Sequence, residues 1–446
     1  MTSPTAASFA HHSPRLPQFV TRRVERYEAE TIRAEHTAHV LLGAVPLSAG
    51  DVDLRSNDYL ALGRHPEVIA AQVRELQASA NGQMMSAVFL TPGNAQWDLE
   101  DRFARLLQAG AGVLFQSGYL ANVALLQNIA DATTPVYLDM MAHASLYQGV
   151  VAAGADLRVF RHNDAEHLKR QVLTRGPGVI AIDSVYSIDG SVAPIAAVLA
   201  VAEETGCALI VDESHSLGTH GPGGAGLVVA SGLQHRVHFR TASLAKALCG
   251  RAGLVACPKS VAYYLHIGSS PNIFSSAVLP HELAALAKTL EIVQRDEWRR
   301  VRLHRNADWL RAQLDVLGYN VSASRSQIIS LEAGTEERVV ELGFALQKCG
   351  IFGAVFFSPA TPKNRACIRF SVHAGLAPDD LERVISACAE IRDRIGVANW
   401  PSSRRIARRA GAAGKPARTD QAMHGLGWRQ AGAERSSQAR TRRQPA

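Results

Sequence analysis

The sequence has few cysteines, and their spacing is not that of a disulfide framework or a metal site. Six cysteines are scattered over 446 residues, and no two of them form a Cys-x-x-Cys pair. Structural disulfides and a zinc site are therefore not expected, and the pattern is typical of a protein in a reducing compartment. We accordingly expect a cytoplasmic protein without a metal site.

Long apolar runs are missing as well. No run reaches the length of about 18 residues that a membrane-spanning helix needs. The first 19 residues lack the apolar core of a secretory signal peptide. We expect neither a signal peptide nor a membrane span. At 47% hydrophobic and 20% charged residues, the composition is that of an ordinary globular protein, long enough for more than one domain.

The net charge of +7 arises at one end of the chain. Residues 399–446 carry 11 basic and 2 acidic side chains, whereas the residues before them carry 36 basic and 38 acidic ones. A basic segment rich in glycine, alanine, serine and glutamine is typical of a disordered extension. Contact with nucleic acid or an anionic membrane is the alternative for this tail, and no nucleic-acid partner is expected for the rest.

Short apolar segments alternate with helical patterns through the middle of the chain. This order predicts an α/β fold with a mostly parallel sheet flanked by helices. Ligands of such sheets bind beyond the carboxyl ends of the strands. The predicted strands lie within residues 112–118, 135–140, 157–164, 178–190, 208–215 and 237–247. At or just after their ends lie five polar residues that we expect to form one site: Ser117, Asp139, Ser187, Asp212 and Lys246.

The pattern divides the chain into four predicted regions. An N-terminal arm and helix cover residues 1–50, with the helix expected over residues 16–42. A large domain covers residues 51–285 and a smaller α+β C-terminal domain covers residues 286–398, joined by a long helical stretch that begins at residue 281. The basic, disordered tail is predicted over residues 399–446.

One lysine stands in an unusually uncharged setting. Lys246 lies in the segment Thr241–Gly253, which reads TASLAKALCGRAG. A desolvated lysine has a lowered pKa and is a better nucleophile, suited to form a Schiff base with an aldehyde. Most single lysines are surface charges, so this interpretation depends on the residues that accompany Lys246.

A carboxylate and an imidazole lie upstream, in the segment IVDESHSLG. Asp212 ends an apolar strand, where an unpaired carboxylate is costly to bury and a cationic ring nitrogen would stabilise it. Pyridoxal 5′-phosphate (PLP) needs both a lysine for its aldehyde and a carboxylate for its pyridinium nitrogen, so we predict PLP as cofactor. A capping aspartate is the alternative. His215 is placed to face the phenolic oxygen of PLP; Asp-x-x-His also suits a metal, but no third ligand is evident.

Further candidates follow other strand ends. Gly118 and Tyr119 open a helix where free N–H groups suit a phosphate, although every βα unit has such a turn. His143 is a candidate to stack on the cofactor ring, and otherwise a structural histidine. Thr241 and Ser243 are candidate phosphate ligands.

Two candidates remain, one in each predicted domain. Ser187, in the segment SVYSIDG, is a candidate hydroxyl donor to the cofactor. Arg369, in the segment CIRFS, is predicted to bind a substrate carboxylate through its planar guanidinium, with an ordinary salt bridge as the alternative.

With these residues in view, the chain resembles the α-oxoamine synthases of PLP fold type I over roughly residues 16–398. The motifs SGY, HAS, SxDG, DESHSxG, SLAKA and IRFS occur in the family's order. Within the family it is most similar to the quorum-sensing synthases that make CAI-1 and related α-hydroxyketone autoinducers. The segments that carry this closer match include SNDYLAL, MMSAVFL, QSGYLANVALLQ, GPGVIAIDSVYS, DESHSLGTHGPGGAGLV and TASLAKALCGRAG. The long basic tail departs from the family pattern.

The resemblance implies a role for each candidate. Lys246 becomes the Schiff-base lysine and proton shuttle, Asp212 the partner of the pyridinium, and Arg369 the substrate-carboxylate arginine. Ser275 and Ser276 match a segment that reaches the cofactor phosphate of the partner subunit, which implies a homodimer with shared active sites. The other residues expected to contact the cofactor are Gly118, Tyr119, His143, Ser187, His215 and Ser243.

The resemblance also implies a reaction. An amino acid is joined to an acyl-CoA with loss of CoA and carbon dioxide, giving an α-aminoketone. In the autoinducer subgroup the acyl chain is medium or long, and the amino donor is 2-aminobutyrate or S-adenosylmethionine. The alternative is a metabolic synthase of the same family, of the 8-amino-7-oxononanoate synthase, 2-amino-3-oxobutyrate CoA ligase or serine palmitoyltransferase type. A regulator or inactive subunit is disfavoured, because no helix-turn-helix pattern precedes residue 50 and Lys246 is present.

Overall fold

A computed structural model describes residues 15–31, 47–82, 84–358 and 360–403 of the chain. Of the helix predicted over residues 16–42, the structure shows α1 (Gln18–Thr31), and the rest of that prediction lies outside the described residues. The predicted tail lies outside them from residue 404 onward. The boundaries between the four regions predicted from the sequence, including the one at residue 285, stay predictions.

The described residues contain short strands and longer helices in alternation. The strands are β1 (Val52–Asp53), β2 (Ala111–Phe115), β3 (Pro135–Asp139), β4 (Asp156–Phe160), β5 (Val179–Asp183), β6 (Ala208–Asp212), β7 (Phe239–Ser243), β8 (Gly253–Cys257), β9 (Ile328–Gly334), β10 (Ile351–Phe352), β11 (Ala354–Phe356) and β12 (Ala366–Ser371). The helices after α1 are α2 (Pro66–Ser79), α3 (Ala95–Leu107), α4 (Gly118–Ile129), α5 (Ala144–Ala153), α6 (Ala165–Arg175), α7 (Ile195–Thr205), α8 (Leu227–Ala230), α9 (Lys259–Gly268), α10 (Ser270–Ile273), α11 (Pro280–Arg295), α12 (Glu297–Val316), α13 (Glu336–Lys348) and α14 (Pro378–Arg392). Single 3₁₀ turns lie at Ala87–Phe89, Pro222–Gly224 and Val397–Asn399.

A sheet of seven strands carries most of the fold, in the order β2-β8-β7-β6-β5-β3-β4. The neighbouring pairs from β7 through β4 are all parallel, and β8 alone runs antiparallel to its neighbours β2 and β7. The predicted α/β fold with a mostly parallel sheet is therefore confirmed. Strand β8 was not predicted: it is a continuous buried run like β5, but unlike β5 it does not end in a polar residue that marks its carboxyl end.

Helices cover both faces of this sheet. Along β3, Val136 and Leu138 belong to the apolar cluster shared with α4 and α5, whereas Tyr137 belongs to the cluster shared with α6 and α7. Successive residues of a strand point to opposite faces, so burial on both sides requires a continuous apolar run. The sequence has such runs at β5 and β6, whose side chains are almost all buried.

A smaller antiparallel sheet, in the order β11-β12-β9, follows in the C-terminal part. Arg369 lies in β12, where it pairs with Ala354 of β11 and Ser330 of β9. The N-terminal segment joins this part of the chain, since β1 pairs in parallel with β10. The helical stretch predicted from residue 281 is two helices, α11 and α12, which part at Asp296. Among the described residues, none of the helices has the length and apolar content needed to cross a membrane.

Candidate active site

Three parallel strands end side by side at the centre of the site. Asp212 ends β6, and its neighbours in register are Asp183 at the end of β5 and Thr241 in β7. Because these strands run in one direction, their last residues lie at the same edge of the sheet. Lys246 follows the end of β7 by three residues, so the predicted lysine and the predicted carboxylate reach one edge.

The Asp212 carboxylate is buried, and the hydrogen bonds described for it come from neutral donors. Its Oδ2 accepts from Asn122 Nδ2 at 2.7 Å, and its Oδ1 accepts from the backbone N–H of Ser214 at 2.8 Å. Only 4% of the residue is exposed. An ionised carboxylate is costly to bury unless a cation pairs with it. The arrangement therefore suits a cationic ligand atom.

Lys246 lies in a tight turn that leaves its side chain half-buried. The Lys246 carbonyl accepts from the backbone N–H of Cys249 at 3.0 Å, which closes the turn. Burial and the nearby Arg369 guanidinium lower the pKa of Lys246, whereas Asp212 acts in the opposite direction. A lysine with a lowered pKa has more of its amine in the nucleophilic, neutral form.

His215 is buried close to Lys246 and is held from two sides. Its Nδ1 lies 2.7 Å from the Tyr59 hydroxyl, and its backbone carbonyl accepts from Gln327 Nε2 at 2.7 Å. Burial, followed by the positive charges of Lys246 and Arg369, lowers the pKa of His215 well below its ordinary value. The ring is therefore neutral near pH 7, and a neutral imidazole carries one proton on one of its two nitrogens.

A hydrogen-bonded chain joins Asp212 to His143. Asn122 donates both to Asp212 and to the Ser145 hydroxyl, the latter at 2.8 Å. Since an amide N–H only donates, the Ser145 hydroxyl is left to donate to His143 Nδ1, 2.7 Å away. His143 also caps the N-terminus of α5 by accepting from the Ser145 N–H. The chain sets the orientation of the His143 ring, which is the property a stacking residue needs.

Arg369 enters the site from β12 of the small sheet. Its Nη1 donates to the Ser187 carbonyl at 2.9 Å and its Nη2 to Asn57 Oδ1 at 3.1 Å, while its guanidinium lies over the Phe356 ring at 5.0 Å. The residue is 6% exposed, and its Nε has no partner among the described residues. Both described acceptors are neutral, so a substrate carboxylate would supply the missing negative charge.

The turn before α4 forms the far end of the site. A Cβ added to Gly118 would lie 2.5 Å from Ser243 Cβ, so only glycine lets the start of α4 lie against β7. The Thr241 hydroxyl is buried without a partner among the described residues. Ser117 caps α4 by accepting from the Leu120 N–H at 3.2 Å. A helix N-terminus beside free hydroxyls is suited to a phosphate.

The remaining predicted residues lie at the edge of this turn. Ser276 is exposed, and its carbonyl accepts from Gln116 Nε2 at 2.7 Å. The Ser275 hydroxyl donates to the Pro271 carbonyl. Tyr119 is 44% exposed. Within one chain, the Tyr119 and Ser276 side chains are exposed and Ser275 is half-buried.

A cavity of about 680 Å³ opens next to the predicted ring-stacking residue. It lies between the loops that follow β3 and β5 and the inner face of the small sheet. His143 and Ser187 line it, together with a largely apolar wall of Met140, Met141, Ala142, Ala144, Tyr147, Ile188 and Phe356. Its charged lining residues are Asp189, Glu332 and Arg365.

Several polar residues of the site were not singled out from the sequence. Asn122 is a buried amide within the apolar run from Leu120 to Leu126 of α4, and that contrast is its signal in the sequence. Asn57 and Tyr59 lie in the SNDYLAL segment, which carries part of the family resemblance but no site residue predicted from the sequence. Asp183 was overlooked although it ends a strand next to that of Asp212. Of the five strand-end residues expected to form one site, Asp139 instead accepts from His162 and from the Asn163 N–H.

Known proteins are similar to this chain over most of its length. The family model for aminotransferase class I and II matches residues 49–387. The CAI-1 autoinducer synthase of Vibrio campbellii is 42% identical over 84% of this chain and 95% of its own, and a putative 8-amino-7-oxononanoate synthase of Paramagnetospirillum magneticum is 33% identical over 78% and 92%. A serine palmitoyltransferase structure from S. paucimobilis with a bound PLP–myriocin aldimine superposes with a TM-score of 0.77 at 24% identity, over 84% and 99% of the two chains.

A central mixed sheet with a lysine and a buried aspartate at its carboxyl edge defines a class, the PLP-dependent enzymes of fold type I. PLP is the cofactor, and the described residues fit it: the buried Asp212 has neutral donors, and the Thr241 hydroxyl lacks a partner. Within this class the chain belongs to the α-oxoamine synthase family, whose members are PLP-dependent acyltransferases.

Proposed function

We propose that this α-oxoamine synthase condenses an amino acid with a medium- or long-chain acyl-CoA, giving an α-aminoketone precursor of an α-hydroxyketone autoinducer. The observation that carries the proposal is the 42% identity to a CAI-1 autoinducer synthase over 84% of the chain. Putative 8-amino-7-oxononanoate synthases match at 33% identity or less. The metabolic synthases therefore remain the alternative, with weaker support.

The cavity beside His143 supports an acyl substrate. Its volume of about 680 Å³ is within the range of small-molecule sites, and its wall is largely apolar, as an alkyl chain requires. Met141 and Tyr147 contribute flexible and aromatic surface on one side, and Phe356 closes the other. We assign the acyl chain to this cavity.

The residues around the cofactor each have a proposed task. When bound, PLP supplies an electron sink for charge that develops at the α-carbon of the amino acid. Lys246 removes and returns the proton at that carbon, which its lowered pKa favours near neutral pH. Asp212 holds the proton on the pyridinium nitrogen by charge pairing, and His215 donates a hydrogen bond to the phenolic oxygen. His143 stacks on the ring face.

The two ends of the reacting assembly are held by different parts of the chain. Arg369 binds the carboxylate of the amino donor, for which we propose 2-aminobutyrate or S-adenosylmethionine. At the phosphate end we propose as ligands the start of α4 at Gly118 and Tyr119, together with Thr241 and Ser243. Ser187, whose carbonyl accepts from Arg369, is the proposed hydroxyl donor to the cofactor at the other end.

We further propose a homodimer in which Ser275 and Ser276 reach the phosphate of the partner's cofactor. Large apolar side chains lie exposed near these serines: Phe274 is 82% exposed, Phe89 67% and Tyr263 72%. A soluble monomer seldom exposes such a group of aromatic residues in one region, so a second copy is the proposed cover. The dimer would complete each site with serines from the other chain.

Rates of CoA release with a panel of substrates test the assignment. The holoenzyme is offered 2-aminobutyrate, S-adenosylmethionine, glycine, alanine and serine, each with short, medium and long acyl-CoAs. The proposal predicts the highest kcat/KM for 2-aminobutyrate or S-adenosylmethionine with medium or long chains. A preference for glycine, alanine or serine would instead assign the protein to the metabolic branch.

A further inference from the structure

A chain of four side chains, three of them buried and Asn57 half-buried, connects the substrate-binding arginine to His215. Tyr59 is fully buried, and its hydroxyl lies 2.7 Å from His215 Nδ1 and 3.2 Å from Asn57 Oδ1. The same Asn57 oxygen accepts from Arg369 Nη2 at 3.1 Å. We call this set, Arg369, Asn57, Tyr59 and His215, the arginine–histidine chain.

The backbone around Tyr59 is fixed as firmly as its side chain. The Tyr59 carbonyl accepts from the backbone N–H of Ala374 at 2.8 Å, and the Leu54 carbonyl accepts from that of Ser371 at 2.8 Å. Ser371 is the last residue of β12, the strand that carries Arg369, and Ala374 lies three residues beyond it. Tyr59 is therefore placed between the two parts of the chain that meet at the site.

Counting donors and acceptors leaves two arrangements for the arginine–histidine chain, and in both the Tyr59 oxygen can also accept from the Gln327 amide that hydrogen-bonds it. A guanidinium only donates, so the Asn57 atom facing Arg369 is the carbonyl oxygen. In the first arrangement, Tyr59 donates to His215 Nδ1, and the ring proton is on Nε2. In the second, His215 donates from Nδ1 to Tyr59, Tyr59 donates to Asn57, and Nε2 carries a lone pair.

The distances favour the first arrangement. The contact between Tyr59 and His215, at 2.7 Å, is shorter than the one between Tyr59 and Asn57, at 3.2 Å. Burial raises the pKa of Tyr59 far above its ordinary value, so this hydroxyl keeps its proton and remains a donor. Asn57 Oδ1 also already accepts a hydrogen bond from the charged Arg369 guanidinium, so it is a weaker acceptor for the Tyr59 hydroxyl.

We propose that Tyr59 is a positioning residue: it donates to Nδ1 of His215 and thereby keeps the ring proton on Nε2, where the ring can donate to the phenolic oxygen of the cofactor. The inference depends on the proposed role of His215. A neutral histidine with Nε2 unprotonated would place a lone pair against that oxygen and repel it. The hydroxyl of one tyrosine thus selects the useful tautomer.

The test is the pH titration of the visible absorbance of the PLP holoenzyme, which reports on the cofactor without turnover. A hydrogen-bond donor to the phenolic oxygen stabilises the negative charge on that oxygen. It therefore lowers the pH at the midpoint of the spectral change. Tyr59→Phe removes the hydroxyl and keeps the ring. Losing one buried hydrogen bond of ordinary strength should raise the midpoint by about 0.5–1 pH unit.

Two further variants make the result specific. Tyr319→Phe is the matched control, because its buried hydroxyl donates to the Cys388 carbonyl at 2.9 Å, away from the site. It should leave the midpoint unchanged. Asn57→Ala separates the two arrangements: in the first the Tyr59–His215 bond survives and the midpoint moves little. In the second arrangement the midpoint moves as far as it does in Tyr59→Phe, and that result would overturn the proposal.

A measurement on the unaltered protein covers the case in which Tyr59→Phe fails to fold. Nitrogen-15 NMR of histidine-labelled holoenzyme, with His215→Asn to assign the signals, distinguishes a protonated ring nitrogen from an unprotonated one. Protonation of Nε2 supports the proposal, and protonation of Nδ1 overturns it. A wild-type protein that binds PLP without any titrating visible band would count against the Lys246 assignment, which is a separate failure.

Discussion

At the scale of single residues, the site is defined by a buried charge and the groups around it. Asp212 is 4% exposed and receives hydrogen bonds from Asn122 and Ser214, both of them neutral donors. Its neighbour in register, Asp183, has a different character. Burial, reinforced by the nearby Asp212, raises the pKa of Asp183 well above its ordinary value and favours its neutral form.

The contrast between these two carboxyl groups gives a direct prediction. Asp212→Asn removes the charge that holds the pyridinium proton while preserving shape, so kcat should fall at least about 100-fold, as for other preorganised electrostatic contacts. The measurement is kcat for CoA release, with cofactor content checked by absorbance. Asp183→Asn is the matched control, since it removes a group already disposed to be neutral. Equal losses in both variants would contradict the account.

A buried histidine outside the site links stability to pH. Burial, with a smaller contribution from His304, lowers the pKa of His220 to about 3. The unfolded chain binds this proton near the ordinary value of 6.5, so folding loses stability as the pH falls below about 6.5. His220→Gln should reduce the loss of unfolding free energy between pH 7 and pH 5 by up to about 2 kcal/mol.

Chemical denaturation of the holoenzyme at the two pH values measures this difference. The exposed His235→Gln serves as the control and should leave the pH dependence as it is in the unaltered protein. A His220→Gln protein with the same pH dependence as the parent would show that His220 is protonated in the folded state.

The sequence alone predicts Lys246, Asp212 and His215 as site residues, because each is a polar residue at or shortly after the end of an apolar strand. It was not sufficient to find the residues that hold them. Asn122 lies among apolar residues and Tyr59 directly follows a polar turn, and only the fold shows that they face Asp212 and His215. Their roles depend on contacts 90 and 156 residues apart in the chain.

At the scale of elements, parallel strands and their loops were predictable, and the exceptions have physical reasons. Runs of buried residues identified β5 and β6, whereas β8 is such a run without a polar residue at its end. The long helical stretch from residue 281 was predicted without its break, because the break at Asp296 takes a single residue with non-helical φ and ψ angles. Periodicity does not resolve a break of that length.

The start of α5 offers a test of the acyl-chain cavity. Ala144 is the first residue of α5, exposed and lining the cavity, so a larger side chain there fills space without disturbing the core. Ala144→Trp should lower kcat/KM for long acyl-CoAs at least about tenfold relative to short ones. The control is Val151→Trp, on the same helix at a position 68% exposed and outside the cavity lining. An unchanged chain-length profile would place the acyl chain elsewhere.

At the scale of the whole molecule, the proposed homodimer would cover the exposed aromatic residues near Ser275 and Ser276. Phe274→Asp adds a charge to the most exposed of them and should raise the dimer dissociation constant at least about tenfold, because interfaces exclude charge from their centres. Analytical ultracentrifugation measures the constant, and Val316→Asp, 68% exposed at the end of α12, is the control. A protein that stays monomeric at all concentrations would refute the shared site.

The most direct test of the central claim is the fate of the donor's carboxyl carbon. The holoenzyme is given 2-aminobutyrate or S-adenosylmethionine labelled with carbon-13 at the carboxyl group, together with a medium-chain acyl-CoA, and all products are analysed by mass spectrometry. The account predicts free CoA, labelled carbon dioxide and an unlabelled α-aminoketone that contains the acyl chain. A product that retains the label, or the same products from Lys246→Ala, would contradict it.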